Sequence, residues 1–272
     1  VLKFSLSKII LDGPKNDLDS TINTQPAIFL ISFSIFKIMK DEFNINLNQA
    51  KYFAGHSLGE YSAMSSCGYL SFSDTLKLLR IRGDAMQNAV PNGEGGMIAI
   101  LGSNIDLIEN ILNNNSEDVK VQIANDNTEG QIVCSGKNTD LDKLVIILKS
   151  KNIKNMKLPV SAPFHCNLMN NATEIMKKEI NKTLFNSGYN KLISNVTANE
   201  IQSTDELKKL LIDQIESRVR WRESVINMIN RGVNQFIEIG PGKVLSGLVK
   251  RINKDVKINT INTENDIKEL KI

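Results

Sequence analysis

Apolar positions recur along this chain with two different periods, and the points where the period changes outline its organisation. From Thr24 to about residue 87 the spacing is helical, interrupted by residues 51–54, which read as a short strand. Residues 73–86 carry apolar side chains at Leu76, Leu79 and Met86, the spacing of an amphipathic helix. A different grammar begins near Gly93. Strand patterns cover residues 96–101, 119–124, 131–135 and 153–160, with helical patterns at 104–112 and 140–150. The order β-α-β-β-α-β is that of a ferredoxin-like unit. The chain then returns to mixed α/β spacing. Helices are predicted over residues 172–183, 206–214 and 221–231, and strands over 192–196 and 235–239. The last strand ends at Gly240, Pro241 and Gly242, and a further helix starts at Val244.

Composition narrows the classes. At 272 residues the chain is long enough for a sizeable core, as one large domain or a main domain with a smaller one, and its 41% hydrophobic content is ordinary for a soluble protein. The formal charge of +3 comes from 33 basic and 30 acidic residues with no dense basic block, which argues against nucleic acid as a partner. It suits an acidic protein or an anionic small molecule. The longest apolar stretch, residues 27–39, is interrupted by Ser32, Ser34 and Lys37 and reads as a buried core helix, so no membrane association is expected. Cys67, Cys134 and Cys166 are odd in number and lack metal-ligand spacing, which predicts reduced thiols and no metal site. The 32 asparagines, with abundant Lys and Ile, point to an A/T-rich genome. Val1 is not a natural start, and residues 1–10 resemble neither a signal nor a transit peptide, so a processed or trimmed form is expected.

The chemistry concentrates at Gly55-His56-Ser57-Leu58-Gly59, a G-x-S-x-G pattern between the strand-like residues 51–54 and a helical run from Glu60. In a nucleophile elbow of this kind a tight strand-to-helix turn pushes the serine hydroxyl clear of the backbone, and the first helix amides face whatever it attacks. The fold class that follows is α/β. A hydrolase-like large subdomain with a central, mostly parallel sheet takes residues 1–92 and 161–272, and the inserted ferredoxin-like small subdomain takes residues 93–160. A serine nucleophile needs a base, and only His56 and His165 exist. His56 lies inside the turn, where its side chain points away from its neighbour's hydroxyl, and a structural role is expected. His165 sits in a proline-stiffened loop after a strand, where active-site side chains are displayed. Arg82 is the third candidate. A helix arginine is usually solvated, but its fork can also grip a carboxylate with two parallel hydrogen bonds.

Taken in order, Thr24-Gln25-Pro26-Ala27, the elbow with Glu60-Tyr61, Arg82-Gly83 with Met86-Gln87, Asn125-Asp126-Asn127 with Gly130-Gln131, Phe164-His165 and Glu238-Ile239-Gly240-Pro241-Gly242 resemble the malonyl-CoA:acyl carrier protein transacylases of dissociated (type II) fatty-acid synthesis. The resemblance runs over nearly the whole chain. It implies ping-pong acyl transfer from malonyl-CoA through an acyl-serine to the phosphopantetheine thiol of acyl carrier protein, with no bound cofactor. By the same resemblance Ser57 is the nucleophile, His165 its general base, and Arg82 the holder of the malonyl carboxylate. The Leu58 amide is an oxyanion donor, Gln214 orients the histidine through a backbone carbonyl, and Asn195, Met86 and Phe164 line the substrate site. Phe164 is the bulky form that excludes branched extender units. The pattern departs from the family in one respect, since no G-Q-G-S-Q loop precedes Thr24. That loop supplies a second oxyanion amide, and loss of one such donor typically costs ~10²–10³ in rate, so poor activity is expected.

The carrier protein in this family is acidic, and Lys243, Lys250 and Arg251 are candidates for a basic lip. A monomer is expected, in a plastid-type organelle or, alternatively, a bacterial cytoplasm. Two rivals stand beside this reading. A serine esterase or thioesterase would place its histidine near the C-terminus and leave Arg82 without a purpose, and a catalytically weak module would only bind the carrier protein.

Overall fold

The computed structural model describes residues 2, 4–160 and 162–271. Val1, Lys3, Ser161 and Ile272 lie outside them, and with Ser161 the expected boundary between subdomains. Helices α1 (Leu6–Asp12), α2 (Lys15–Asp19) and α3 (Thr21–Asp41) open the chain. The first two were not anticipated. Among the described residues α3 is the helix long and apolar enough to cross a membrane by length and composition, yet Phe29, Phe36 and Met39 are buried against the protein.

The elbow leads into α4 (Leu58–Ser66), followed by α5 (Phe72–Gln87), whose N-cap Ser71 accepts from the Asp74 amide. The buried face of α5 carries Leu76, Leu78, Leu79, Ala85 and Met86, and also Arg82. At Gly83, α5 crosses the start of α3 so closely that a Cβ would lie 2.7 Å from the Thr21 carbonyl oxygen.

Between residues 93 and 160 the chain forms β1 (Gly95–Leu101), α6 (Ile105–Asn114), β2 (Val121–Thr128), β3 (Gln131–Lys137), α7 (Asn138–Ser150) and β4 (Lys154–Lys157). The sheet order is β2-β3-β1-β4, with every neighbouring pair antiparallel. Alternation assigns one face to each side. Ile98, Ile100, Ile132 and Cys134 pack under Ile108, Ile111, Leu141, Leu144 and Leu148 of the two helices. The other face is made of Met97, Ala99, Ala124 and Val133, and Leu158, Val160 and Phe164 pack against it. β4 is shorter than the predicted strand because Pro159 removes a donor just beyond it. β2 is longer, and bulges between Ile123 and Asn125 and between Asp126 and Thr128. There, still paired with β3, it also bridges to Val219, through Asp126 N to Val219 O at 3.0 Å and Val219 N to Ala124 O at 2.8 Å.

Helices α8 (Asn170–Lys182), α9 (Thr204–Asp213) and α10 (Trp221–Asn230) follow, then β5 (Gln235–Ile239), α11 (Val244–Ile252), β6 (Lys257–Ile261) and α12 (Glu264–Glu269). β5 and β6 form a parallel pair. β6 was not anticipated. Among the described residues Phe53 meets Leu192 in an isolated parallel bridge and Ile193 meets Glu200 in an antiparallel one, so the strands expected at 51–54 and 192–196 are isolated contacts rather than ladders. The reason lies at Asn195, whose amide donates to the Glu60 carboxylate at 3.2 Å instead of to a neighbouring strand. Cys67, Cys134 and Cys166 are all buried and free.

Candidate active site

The elbow turn depends on Gly55. A Cβ there would lie 2.0 Å from the Gly59 carbonyl carbon and oxygen, whereas one on Gly59 would meet nothing within 4 Å. Ser57 is the N-cap of α4 at φ 54° and ψ −111°, a conformation that L-residues adopt only when their surroundings enforce it. Asn195 does the enforcing. Its Oδ1 accepts from the Ser57 amide and its Nδ2 donates to the Gly55 carbonyl, each at 2.7 Å. In the first turn of α4 the Gly59 and Glu60 amides donate to the His56 and Ser57 carbonyls, and the Leu58 amide lies at the positive end of the helix dipole.

His165 reaches the same point from the loop after β4, also at positive φ (59°). Its Nε2 is 2.8 Å from Ser57 Oγ and its Nδ1 is 2.9 Å from the backbone carbonyl of Gln214. A carbonyl only accepts, so Nδ1 carries the proton and Nε2 is left to accept from the serine hydroxyl. Burial, and after it the charge of Arg82, holds the imidazole pKa down to about 3 from 6.5, so the ring is neutral at physiological pH.

Arg82 comes from α5 and is only 1% exposed. Its Nη2 donates to Ser57 Oγ at 3.1 Å and to Gln214 Oε1 at 2.9 Å, while Nη1 donates to Gln25 Oε1 at 2.7 Å. The guanidinium carbon lies 5.5 Å from the centroid of the Tyr61 ring. Among the described residues no carboxylate touches it. Three neutral oxygens hold the cation in place and leave its charge uncompensated by direct contact.

The predicted residues therefore fall into two groups. Ser57, His165, Arg82, Gln214 and Asn195 converge, with Leu58 at the start of the helix beside them. Phe164 is half-buried beside His165 and packs on the small-residue face of the sheet. Met86 lies in the apolar core and is 1% exposed, a packing position beneath Arg82 rather than the wall of an open cleft. His56 points away from the serine hydroxyl, with Nε2 2.8 Å from Asn127 Oδ1 and its ring beside Trp221. Lys243, Lys250 and Arg251 are exposed, and Arg251 donates to Gln131 Oε1 at 3.0 Å. Two residues of the network had no role assigned from sequence, Gln25 and Glu60. Both lie in stretches that carried the resemblance, but a hydrogen bond across such distances in the chain leaves no local signature. The surface clefts of about 230 Å³ near Gly95 and about 450 Å³ between α8 and α9 include none of these side chains. Among the described residues no group of His, Cys, Asp and Glu has the arrangement of a metal site.

The chain is similar to known proteins over nearly its whole length. The acyl transferase domain family matches residues 1–268. The malonyl CoA-acyl carrier protein transacylase of Bacillus subtilis is 39% identical over 280 residues, 97% of this chain and 87% of that protein. The solved acyl-carrier-protein S-malonyltransferase of Bartonella henselae superposes with a TM-score of 0.93 at 42% identity, covering 97% of this chain and 84% of that one. A malonyl-transacylase solved in complex with a type II PKS acyl-carrier protein gives 0.92 at 31% identity, covering 97% and 85%.

Proposed function

The chain belongs to the acyl transferase family, and within it to the malonyl CoA-acyl carrier protein transacylases; on that footing we propose how its own residues carry the reaction. The protein is an acyltransferase that moves a malonyl group from malonyl-CoA to acyl carrier protein in fatty-acid biosynthesis. Ser57 Oγ attacks the thioester carbonyl while its proton passes to His165 Nε2. The developing oxyanion meets the Leu58 amide at the N-terminus of α4. The C–S bond then breaks, and the departing thiolate takes the proton from His165, leaving malonyl esterified on Ser57. In the second half the phosphopantetheine thiol of the carrier protein gives its proton to His165 and attacks the ester, and Ser57 leaves with that proton. The cycle is ping-pong and calls on no cofactor.

Arg82 holds the free carboxylate of the malonyl group. Its charge is one of the causes that depress the His165 pKa, so a carboxylate arriving there raises the basicity of His165 as the substrate binds. Acetyl brings no such charge. Phe164 and Asn195 border the acyl group, and Met86 packs under Arg82. The chain works as a monomer, with Lys243, Lys250 and Arg251 receiving the carrier protein.

The strand order and antiparallel pairing of β1–β4 support a ferredoxin-like small subdomain, residues 93–160, set into a hydrolase-like core of residues 1–92 and 161–272. The relatives named above are bacterial, which favours a bacterial cytoplasm over a plastid-type organelle.

One observation carries the mechanism: Ser57 Oγ touches both the base, at 2.8 Å, and a buried guanidinium, at 3.1 Å. A simple esterase has no use for the second contact, and a binding module has no use for either. Mass spectrometry of the intact protein after exposure to malonyl-CoA tests the reading. A malonyl adduct on Ser57 is expected, stable until a thiol acceptor is added and absent from Ser57→Ala, whose turnover falls by about 10⁴–10⁶. Rapid release of free malonate without an acceptor means a hydrolase, and no adduct at all means a binding module.

A further inference from the structure

The mechanism gives no task to Glu60, the residue directly after the elbow. Its carboxyl is fully buried in the first turn of α4, an unfavourable place for a charge unless it is well hydrogen-bonded. It does not meet Arg82 directly. Between them stands the side-chain amide of Gln214, with Nε2 donating to Glu60 Oε2 at 2.6 Å and Oε1 accepting from Arg82 Nη2 at 2.9 Å. Burial pushes the Glu60 carboxyl up to about 7, while Gln214, the Asn195 amide and Arg82 pull it back towards ionisation.

A glutamine amide has the same shape in either of its two orientations, and its partners decide between them. In the observed sense Nε2 faces two acceptors, Glu60 Oε2 and the Ser57 carbonyl at 3.1 Å, and Oε1 faces the guanidinium. Reversed, an N–H₂ group would oppose the N–H groups of Arg82, and an oxygen would oppose a carboxylate and a carbonyl. We propose that Glu60 is the positioning residue for substrate choice: it locks Gln214 in the sense that presents Oε1 to Arg82 and so aims the guanidinium at Ser57. The interposed amide adds a second effect. A carboxylate in direct contact would neutralise Arg82 and compete with malonyl, whereas a carboxylate one amide away orients the cation and leaves it free to pair with substrate. The proposal rests on the malonyl-transfer reading.

Glu60 also accepts from the Asn195 amide, and Asn195 holds the elbow, so a purely structural role is the alternative. The two differ in what they do to selectivity. The experiment measures kcat/KM with malonyl-CoA and with acetyl-CoA, carrier protein as acceptor, for the wild type, Glu60→Gln and Glu60→Met. The glutamine carbonyl can still accept from Gln214 and Asn195, so Glu60→Gln keeps the malonyl-to-acetyl ratio close to that of the wild type. Methionine accepts nothing, and Glu60→Met lowers the ratio about tenfold, mostly through a higher KM for malonyl-CoA, as expected for one misplaced hydrogen bond. Equal losses on both substrates in Glu60→Met overturn the proposal, and so does a ratio as low in Glu60→Gln as in Glu60→Met. If Glu60→Met does not fold, Glu60→Asp asks the same question, because the shortened acid falls short of Gln214. Failure of the wild type to load malonyl would sink the broader reading, whereas an unmoved ratio in the variants sinks only the role of Glu60.

Discussion

Two regions of the molecule have opposite kinds of interior. Between α6, α7 and the four-stranded sheet the core is aliphatic, with Ile98, Ile100, Ile108, Ile132, Leu144 and Leu148 at 0% exposure. Around Ser57 the interior is polar: Gln25, Glu60, Arg82, His165, Asn195 and Gln214 are each 3% exposed or less. An aliphatic core tolerates small errors of placement at modest cost. A buried polar network does not, because each group that loses its partner carries the whole cost of its desolvation. The first region is therefore built for stability, and the second spends stability on placing a cation and a neutral imidazole on one hydroxyl.

The most severe way to break the second region is to remove its cation. Arg82→Ala strands the acceptors on Gln25 and Gln214 and deletes the proposed partner of the malonyl carboxylate. Breaking one side of such a buried pair typically costs about 3–5 kcal/mol. Malonyl transfer should drop on the order of 10²–10³-fold in kcat/KM, while acetyl transfer drops less than about tenfold. Arg82→Lys should not restore selectivity, since an ammonium cannot span Gln25, Gln214, Ser57 and a substrate together. Parallel losses on both acyl groups would show that Arg82 only props the site. The matching cut in the other region is Leu144→Ala. It leaves a cavity under the sheet and should cost about 3 kcal/mol in urea unfolding, with the malonyl-to-acetyl ratio untouched. A change in that ratio would mean that the two interiors are coupled, and the bulged end of β2, where Arg222 pairs with Asp126 and Asn127 with His56, would be the route.

This contrast also explains what was legible in the sequence. In residues 93–160 burial follows periods of 2 and 3.6, so all four strands and both helices were found to within a few residues. The site is different. Ser57, His165 and Arg82 could be named because the elbow is a local motif, imidazoles are scarce, and the resemblance supplied the remainder. Glu60 and Gln25 could not, since their partners lie far along the chain at Gln214, Asn195 and Arg82. The expected strand at residues 192–196 failed for a related reason. Its apolar spacing is real, but the Asn195 backbone is committed to Glu60 rather than to a ladder. β6 was missed because Lys257, Asn259 and Thr260 dilute a strand of five residues below any clear alternation.

The subtlest consequence of the polar interior concerns acid. Folded His165 refuses the proton that its unfolded counterpart accepts near 6.5, since burial and Arg82 hold it down to about 3. Its contribution to stability is complete above pH 6.5 and is lost as the pH falls from there. Glu60 works in the other direction. Burial raises its pKa from 4.5 to about 7, so the folded protein keeps a proton that the unfolded chain releases. That contribution is complete below pH 4.5 and is lost as the pH rises through 7. Between pH 6.5 and 5 the two nearly cancel, and the pair makes the wild type insensitive to mild acid. Glu60→Gln removes the compensation and exposes the histidine, at about 1.4 kcal/mol for each pH unit. Measured by urea unfolding, the variant should lose about 2 kcal/mol more than the wild type between pH 6.5 and 5. The aliphatic variant Leu144→Ala should show no such divergence, because it changes no titrating group. If the Glu60→Gln and wild-type curves run parallel, the two buried groups do not oppose each other, and the polar interior is less finely balanced than its hydrogen bonds imply.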